Sequence, residues 1–163
     1  MIRVAERDDF AAVAASLSEK DRRDVLARRP DVTPAGALLQ LADLDPIAAA
    51  FMHEGKLVAV AGAVPSLPRC ASAFVFATDN IEAVRPEILQ FFKRTLLPTL
   101  AAAGVRRVYH VGRADDEEMA AGLEREFGAY KERELKGHGR NGENYVLHAV
   151  SLPQHSEEAP AHV

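Results

Sequence analysis

The stretch from Arg107 to Val150 constrains this chain most, because its punctuation admits one order of elements. Arg107–Gly112 reads as a strand and Asp115–Phe127 as a helix with acidic residues in its first turn. Gly128 ends that helix, since glycine takes the left-handed conformation of a helix C-terminus without penalty. Tyr130–Leu135 and Tyr145–Val150 follow as two strands, joined by the turn-rich run Gly137-His138-Gly139-Arg140-Asn141-Gly142. A helix set between a strand and a hairpin has to bury its apolar stripe on a sheet, which places the chain among α/β folds.

The preceding segments agree. Ile2-Arg3-Val4 is a short strand, and Asp8 or Asp9 is placed to cap a helix carrying Phe10, Val13, Ala14 and Leu17 on one face. Ser18 with Asp21 opens a charged helix, Glu19 to Arg28, that Arg29-Pro30 ends. Thr33-Pro34 starts a third helix, which stops near Asp45-Pro46. Ile47–His53 and Lys56–Val64 form a hairpin turning at Glu54-Gly55, apolar on nearly every residue as in strands covered on both faces. Pro65 and Pro68 are expected to bracket a loop before a strand at Ala73–Thr78. Pro86 suits a first helical residue, and Leu89, Phe92, Leu96 and Leu100 make one stripe along Glu87–Ala103. Pro98 falls inside that helix and has to kink or divide it.

The chain's 163 residues suit one domain, placed here at residues 1–150, with 151–163 expected as a disordered tail because it holds two prolines and little to bury. Against 24 acidic residues stand 20 Lys and Arg, so the net charge of −4 argues against a sequence-independent nucleic-acid binder. Cys70 is the single cysteine, which suits a reducing cytosol, and no apolar run approaches the roughly 20 residues that span a bilayer. A soluble cytoplasmic protein that avoids membranes is the expectation. Arg22, Arg23, Arg28 and Arg29 read as a solvated helix face. His138 and His148 straddle the last turn and are placed to meet across it, but without a third ligand at metal spacing no metal site is expected.

This order of elements resembles the GNAT (Gcn5-related N-acetyltransferase) fold over roughly Ile2 to Val150. The resemblance rests on Ile2-Arg3 followed by Asp9 and a helix, on the hairpin with Gly55-Lys56-Leu57-Val58-Ala59, and on Ala120, Leu123, Phe127 and Gly128 in the closing helix and its break. It implies a mixed, mostly antiparallel central sheet of about six to seven strands with helices on both faces. A narrower resemblance is to the GNAT-like internal virion (core) proteins of T7-like tailed phages. It is carried by Phe74-Val75-Phe76-Ala77-Thr78-Asp79 entering its helix without a glycine loop, by Val111-Gly112, by Gly128-Ala129, and by Glu132 and Glu134.

Two functions follow from these resemblances. One is an acetyl-CoA-dependent N-acetyltransferase in which a primary amine attacks the thioester directly. The other is a phage or prophage protein working through protein partners, itself or virion and assembly components, with acyl transfer degenerate or absent. Enzymes of the family hold the coenzyme A pyrophosphate on a glycine-rich loop at a helix N-terminus. Here that segment, Asp79-Asn80-Ile81-Glu82-Ala83-Val84-Arg85-Pro86, has no glycine and two carboxylates, and Pro86 lacks an amide hydrogen. Thr78, Asn80 and Arg85 are the positions that would hold the cofactor, Arg85 by pairing with phosphate. Glu124 and Glu117 stand where the resemblance implies the general-acid tyrosine and an asparagine. Tyr109 and His110 are the replacement candidates for acid or base; being adjacent on a strand, they point to opposite faces. Asp79 reads as a turn or cap, and Cys70 as an unreactive thiol.

Overall fold

The computed structural model describes residues 1–153. Seven strands form one sheet: β1 (Ile2–Val4), β2 (Ile47–His53), β3 (Lys56–Leu67), β4 (Cys70–Ala77), β5 (Arg107–Arg113), β6 (Tyr130–Leu135) and β7 (Tyr145–Ser151). Their spatial order is β1-β2-β3-β4-β5-β7-β6, antiparallel throughout except between β4 and β5. Those two strands run parallel and pair only at Cys70–Arg107, Ala71–Val108 and Ser72–Tyr109. Beyond that point they part, and the sheet carries a split.

Six helices cover the two faces. On one, α1 (Arg7–Ala15), α2 (Glu19–Arg28) and α3 (Pro34–Ala42) bury Phe10, Val13, Val25 and Leu38 against Val60, Val64 and Phe74. On the other, α4 (Arg85–Phe91), a π-helical segment Phe92–Leu96, α5 (Leu97–Ala102) and α6 (Glu117–Phe127) cover the alternate residues of the same strands. Ala59, Ala61 and Ala63 of β3 and Ala71 and Ala77 of β4 let Ile88, Leu96 and Leu100 lie close to the sheet. The mixed, mostly antiparallel sheet with helices on both faces is the one expected.

Capping follows the sequence with one exchange of roles. Ser18 Oγ accepts from Asp21 N–H and Thr33 Oγ1 from Gly36 N–H, both at 3.1 Å. Asp9, however, does not cap α1 from outside. It lies in the first turn, accepts the Glu6 N–H at 2.7 Å, and is held by Arg3 through two further bonds, which keep its carboxyl below the usual range. Gly128 ends α6 at φ 65°, as expected.

Two segments differ from expectation. β3 does not break at Pro65 but runs to Leu67, and β4 begins at Cys70, so Cys70 lies in a strand and not in a loop. The Pro65 position survives because the register shifts between Pro65 and Leu67, an irregularity where a missing amide hydrogen costs no ladder bond. Around Pro98 the long helix is divided into α4, the π segment and α5. The turn before the proline widens into the π segment, with Leu97 N–H bonding Phe92 O, so Pro98 enters as the second residue of α5. At the C-terminal end β7 continues to Ser151, and Leu152 is buried with its N–H on Arg106 O. Residues 154–163 of the expected tail lie outside the described residues.

Candidate functional site

The split between β4 and β5 is the one place where strand backbones inside the sheet lose their neighbours, so its polar groups need other partners. Alternation fixes which groups face it. Ala77 turns its N–H and C=O away from β3, and Val111 turns its C=O away from β7. Helix α2 takes both. Asp21 Oδ2 accepts the Ala77 N–H at 2.8 Å, Ser18 N–H donates to Ala77 O at 2.8 Å, and Arg28 Nη1 donates to Val111 O at 3.4 Å.

Asp21, Asp24 and Arg28 lie at i, i+3 and i+7, one face of α2 turned to the sheet. Asp24 receives the Tyr145 hydroxyl of β7 at 3.4 Å, and the Arg28 guanidinium lies 5.7 Å from the centre of the Tyr145 ring. Lys20 pairs at 2.6 Å with Asp116, the cap of α6. Thus α2 is tied to both walls of the split. Burial raises the carboxyls of Asp21 and Asp24 above their ordinary values. Burial, with Asp24 beside it, pushes the Tyr145 hydroxyl up to about 12. Of the four early arginines only Arg22 and Arg23 are exposed; Arg28 faces inward, and the solvated-face reading fails for it.

Asp21→Asn keeps an acceptor for the Ala77 N–H and removes a desolvated charge. It is expected to change stability by less than about 0.5 kcal/mol, whereas Asp21→Ala leaves a buried N–H unpaired and loses about 1–2 kcal/mol. Urea midpoints of the two variants check this; equal midpoints would remove the tie from the account.

The residues expected to hold a cofactor lie at the end of β4 and in the loop after it. Thr78 bonds back to Val58 O through its N–H, and Thr78 Oγ1 accepts the Asn80 N–H at 3.3 Å. Arg85 closes on Glu82, three residues before it, through two hydrogen bonds, one of them 2.9 Å. That partner keeps Glu82 below the usual carboxylate range. The guanidinium that would meet phosphate is therefore paired within its own loop. Glu124 on α6 is exposed. The loop does not fit the coenzyme A pyrophosphate, since it presents Asp79, Glu82 and an amide-less Pro86, and at the split α2 and its cap hold the Ala77 and Val111 backbone groups.

Tyr109 and His110 separate as strand alternation requires. Tyr109 lies in register with Ser72 at the apex of the split, with the Arg107 guanidinium 5.8 Å from its ring centre. His110 stands on the opposite face, directly across from His148 of β7. His110 and His148 border an apolar cavity of about 50 Å³ walled by Phe92 of the π segment, Leu97 of α5, and Leu123 and Phe127 of α6. The Nδ1 atoms of both rings are buried without a partner. Burial lowers His110 to about 4, assisted by Arg28, and lowers His148 as well. His110 is thus neutral at pH 7 and a weak base, poorly matched to taking a proton from an amine. His138 does not meet His148; it packs edge-on against Tyr145. Among the described residues no group of three or more His, Cys, Asp or Glu is placed to hold a metal ion. None of their helices is long and apolar enough to cross a membrane.

Sequence reading missed the roles of Asp21, Asp24 and Arg28, although their spacing marks one helix face. It also missed the pairing of His148 with His110, which needs the β5–β7 register.

No protein-family model matches the sequence, and no curated protein matches it either. Solved structures do match. The ribosomal-protein-S18-alanine N-acetyltransferase from Escherichia coli superposes with a TM-score of 0.68 at 17% identity, covering 98% of this chain and 97% of that one. The ribosomal-protein-alanine N-acetyltransferase from Brucella melitensis gives 0.69 at 17%, over 93% and 99%. A GNAT-superfamily phosphinothricin acetyltransferase from Sinorhizobium meliloti, solved with acetyl-CoA, gives 0.67 at 16%, over 93% and 88%. Likeness at these identities carries the fold alone, and the fold is that of the GNAT acetyltransferases.

Proposed function

We propose that this GNAT-fold protein is of phage or prophage type and acts through contacts with other proteins, in virion assembly or in the virion, with acyl transfer degenerate or absent. The observation carrying this reading is the use α2 makes of the split. Asp21 and Arg28 satisfy backbone groups of β4 and β5 that a bound cofactor would otherwise address. Arg85 closed on Glu82 supports it from the loop side. The phage-type origin rests on the sequence resemblance, carried by the glycine-free exit from Phe74–Asp79 and by Gly128-Ala129.

The alternative is an acetyl-CoA-dependent N-acetyltransferase acting on a primary amine. The parting of β4 and β5 beyond Ser72 and Tyr109 favours it, because a split is where a thin ligand could lie between strands. The sheet arrangement shared with acetyltransferases, one of them solved with acetyl-CoA, favours it too.

Thermal unfolding with millimolar coenzyme A and acetyl-CoA separates the two. A ligand present at 100 times its Kd adds about 2.7 kcal/mol to the native state, which moves the melting temperature of a domain this size by several degrees. The expected result is no upward shift with either compound. A reproducible rise of several degrees would overturn the proposal in favour of the alternative.

A further inference from the structure

We infer that β6 is the two-fold interface of a homodimer. It pairs antiparallel with β6 of a second copy, Tyr130 opposite Leu135, Lys131 opposite Glu134 and Glu132 opposite Arg133. The inference stands apart from the function proposed above: this edge lies beyond β7, away from the split, and coenzyme A has no part in its test.

The first observation is an open edge. β6 ends the sheet and pairs with β7 alone, so its outer N–H and C=O groups have no strand beside them. Its first five residues are exposed, Tyr130 at 46%. The second observation is the order of its side chains. Tyr-Lys-Glu-Arg-Glu-Leu, set against itself in the opposite direction, matches an aromatic with an aliphatic residue at each end. Each of the four positions between then faces a cation with an anion. Slipping the pairing by one residue sets Glu132 against Glu132 one way and Arg133 against Arg133 the other. The strand repels its copy in those two registers and attracts it in the one between.

The third observation is the irregularity in the strand. Two copies related by an axis perpendicular to the sheet keep each face on its own side, so opposed residues have to share a face. On a regular strand none of the three matched pairs would, since each is an odd number of positions apart. The register shift between Lys131 and Arg133 removes that obstacle. Tyr130, Arg133 and Leu135 pair with Ala149, Leu147 and Tyr145 of β7 on one face, and Lys131 and Glu134 with His148 and Val146 on the other. Glu132 shares the first face, because it pairs with Arg107, which lies across from Ser151. Edge bulges commonly turn a strand away from pairing; this one brings every matched pair onto a common face.

Charge selects the occupant. Among the described residues Lys131, Arg133 and Glu134 form no salt bridge, and only Glu132 of the four is paired within the chain. A second copy supplies each of them with an opposite charge. The contact is isologous and closes at two, because the other edge, β1, is only three residues long. Six residues of strand make a small interface, so the dimer is a weak one that forms with concentration.

Sedimentation equilibrium from about 10 μM to about 1 mM is expected to show monomer passing to dimer, with no larger species. Lys131→Glu, which opposes carboxylates at both ends of the interface, should weaken association about tenfold or more. Combining it with Glu134→Lys should restore the dimer. A carbodiimide applied to mixed chains of natural and heavy nitrogen should join Lys131 of one copy to Glu134 of the other. Monomer throughout the range would overturn the inference. So would a dimer indifferent to Lys131→Glu, or one that the double variant leaves dissociated. Links from Lys131 to Glu157 or Glu158 of its own chain would give the edge to the chain's C-terminal residues and overturn it equally.

Discussion

Lowering the pH from 7 to 5 is expected to remove about 2 kcal/mol of folding stability, before most carboxylates titrate. The source is His110, whose native value near 4 lies below its ordinary 6.5. A group depressed in the folded state favours the unfolded chain as protons become available. The stability it supports is complete above pH 6.5 and drains away as the pH falls toward 4. His148 is lowered too and adds in the same direction. Asp21 and Asp24 act oppositely, because burial raises them and the folded state gains as they take protons. Their gain builds as the pH falls from their raised folded values toward the ordinary carboxylate range of about 4, and it offsets part of the histidine loss. Asp9, held low by Arg3, adds a separate loss below about pH 4. Urea unfolding at half-unit pH intervals reads the curve, and His110→Gln should at least halve the fall. A flat profile between pH 7 and 5 would mean that His110 is hydrated in the native protein.

The second large effect is a single added methyl group. Gly62→Ala is expected to lose about 3 kcal/mol, the upper range for overpacking, because nothing around it can yield cheaply. A Cβ at Gly62 would come 2.1 Å from the Ile47 carbonyl oxygen and 2.8 Å from the Ala48 Cβ. Both belong to β2, directly across from β3 in the register Ala48–Gly62. Relief requires β2 and β3 to move apart at the second pair of their ladder. By contrast, a Cβ at Gly112 would meet the mobile end of Met119, which can swing aside. Urea denaturation with an unchanged m value is the measurement. A variant within 1 kcal/mol of the parent would show that the sheet is less tightly closed than drawn.

Local chemistry made the elements legible. Ser18, Thr33, Gly104 and Gly128 each stop or start a helix where their side chain or backbone freedom demands it. The segment around Pro65 was misread because proline excludes a ladder donor, and only the register shows that the site is a bulge. Pro98 was undecidable for a related reason: a π turn depends on what packs on Phe92 and Leu96, not on the proline alone. For the site, the deficits of the loop were visible as residue types. The substitute partners were not, since Asp21 meets Ala77 across 56 positions and Arg28 meets Val111 across 83. No local pattern reports contacts of that range. His110 was singled out for the right strand, but its partner across the ladder decides what the ring can do.

The short parallel pairing of β4 with β5 has a mechanical consequence. Three residue pairs are a narrow hem between a four-strand panel, β1 to β4, and a three-strand panel, β5 to β7. Side chains of α2 sew the panels together farther along, as α4 and α6 do from the other side. Force or thermal agitation that frees α2 therefore opens a seam while leaving each panel's own ladders whole. A change in the angle between the two panels therefore costs these polar contacts and the apolar packing shared across the hem, with no strand unpaired.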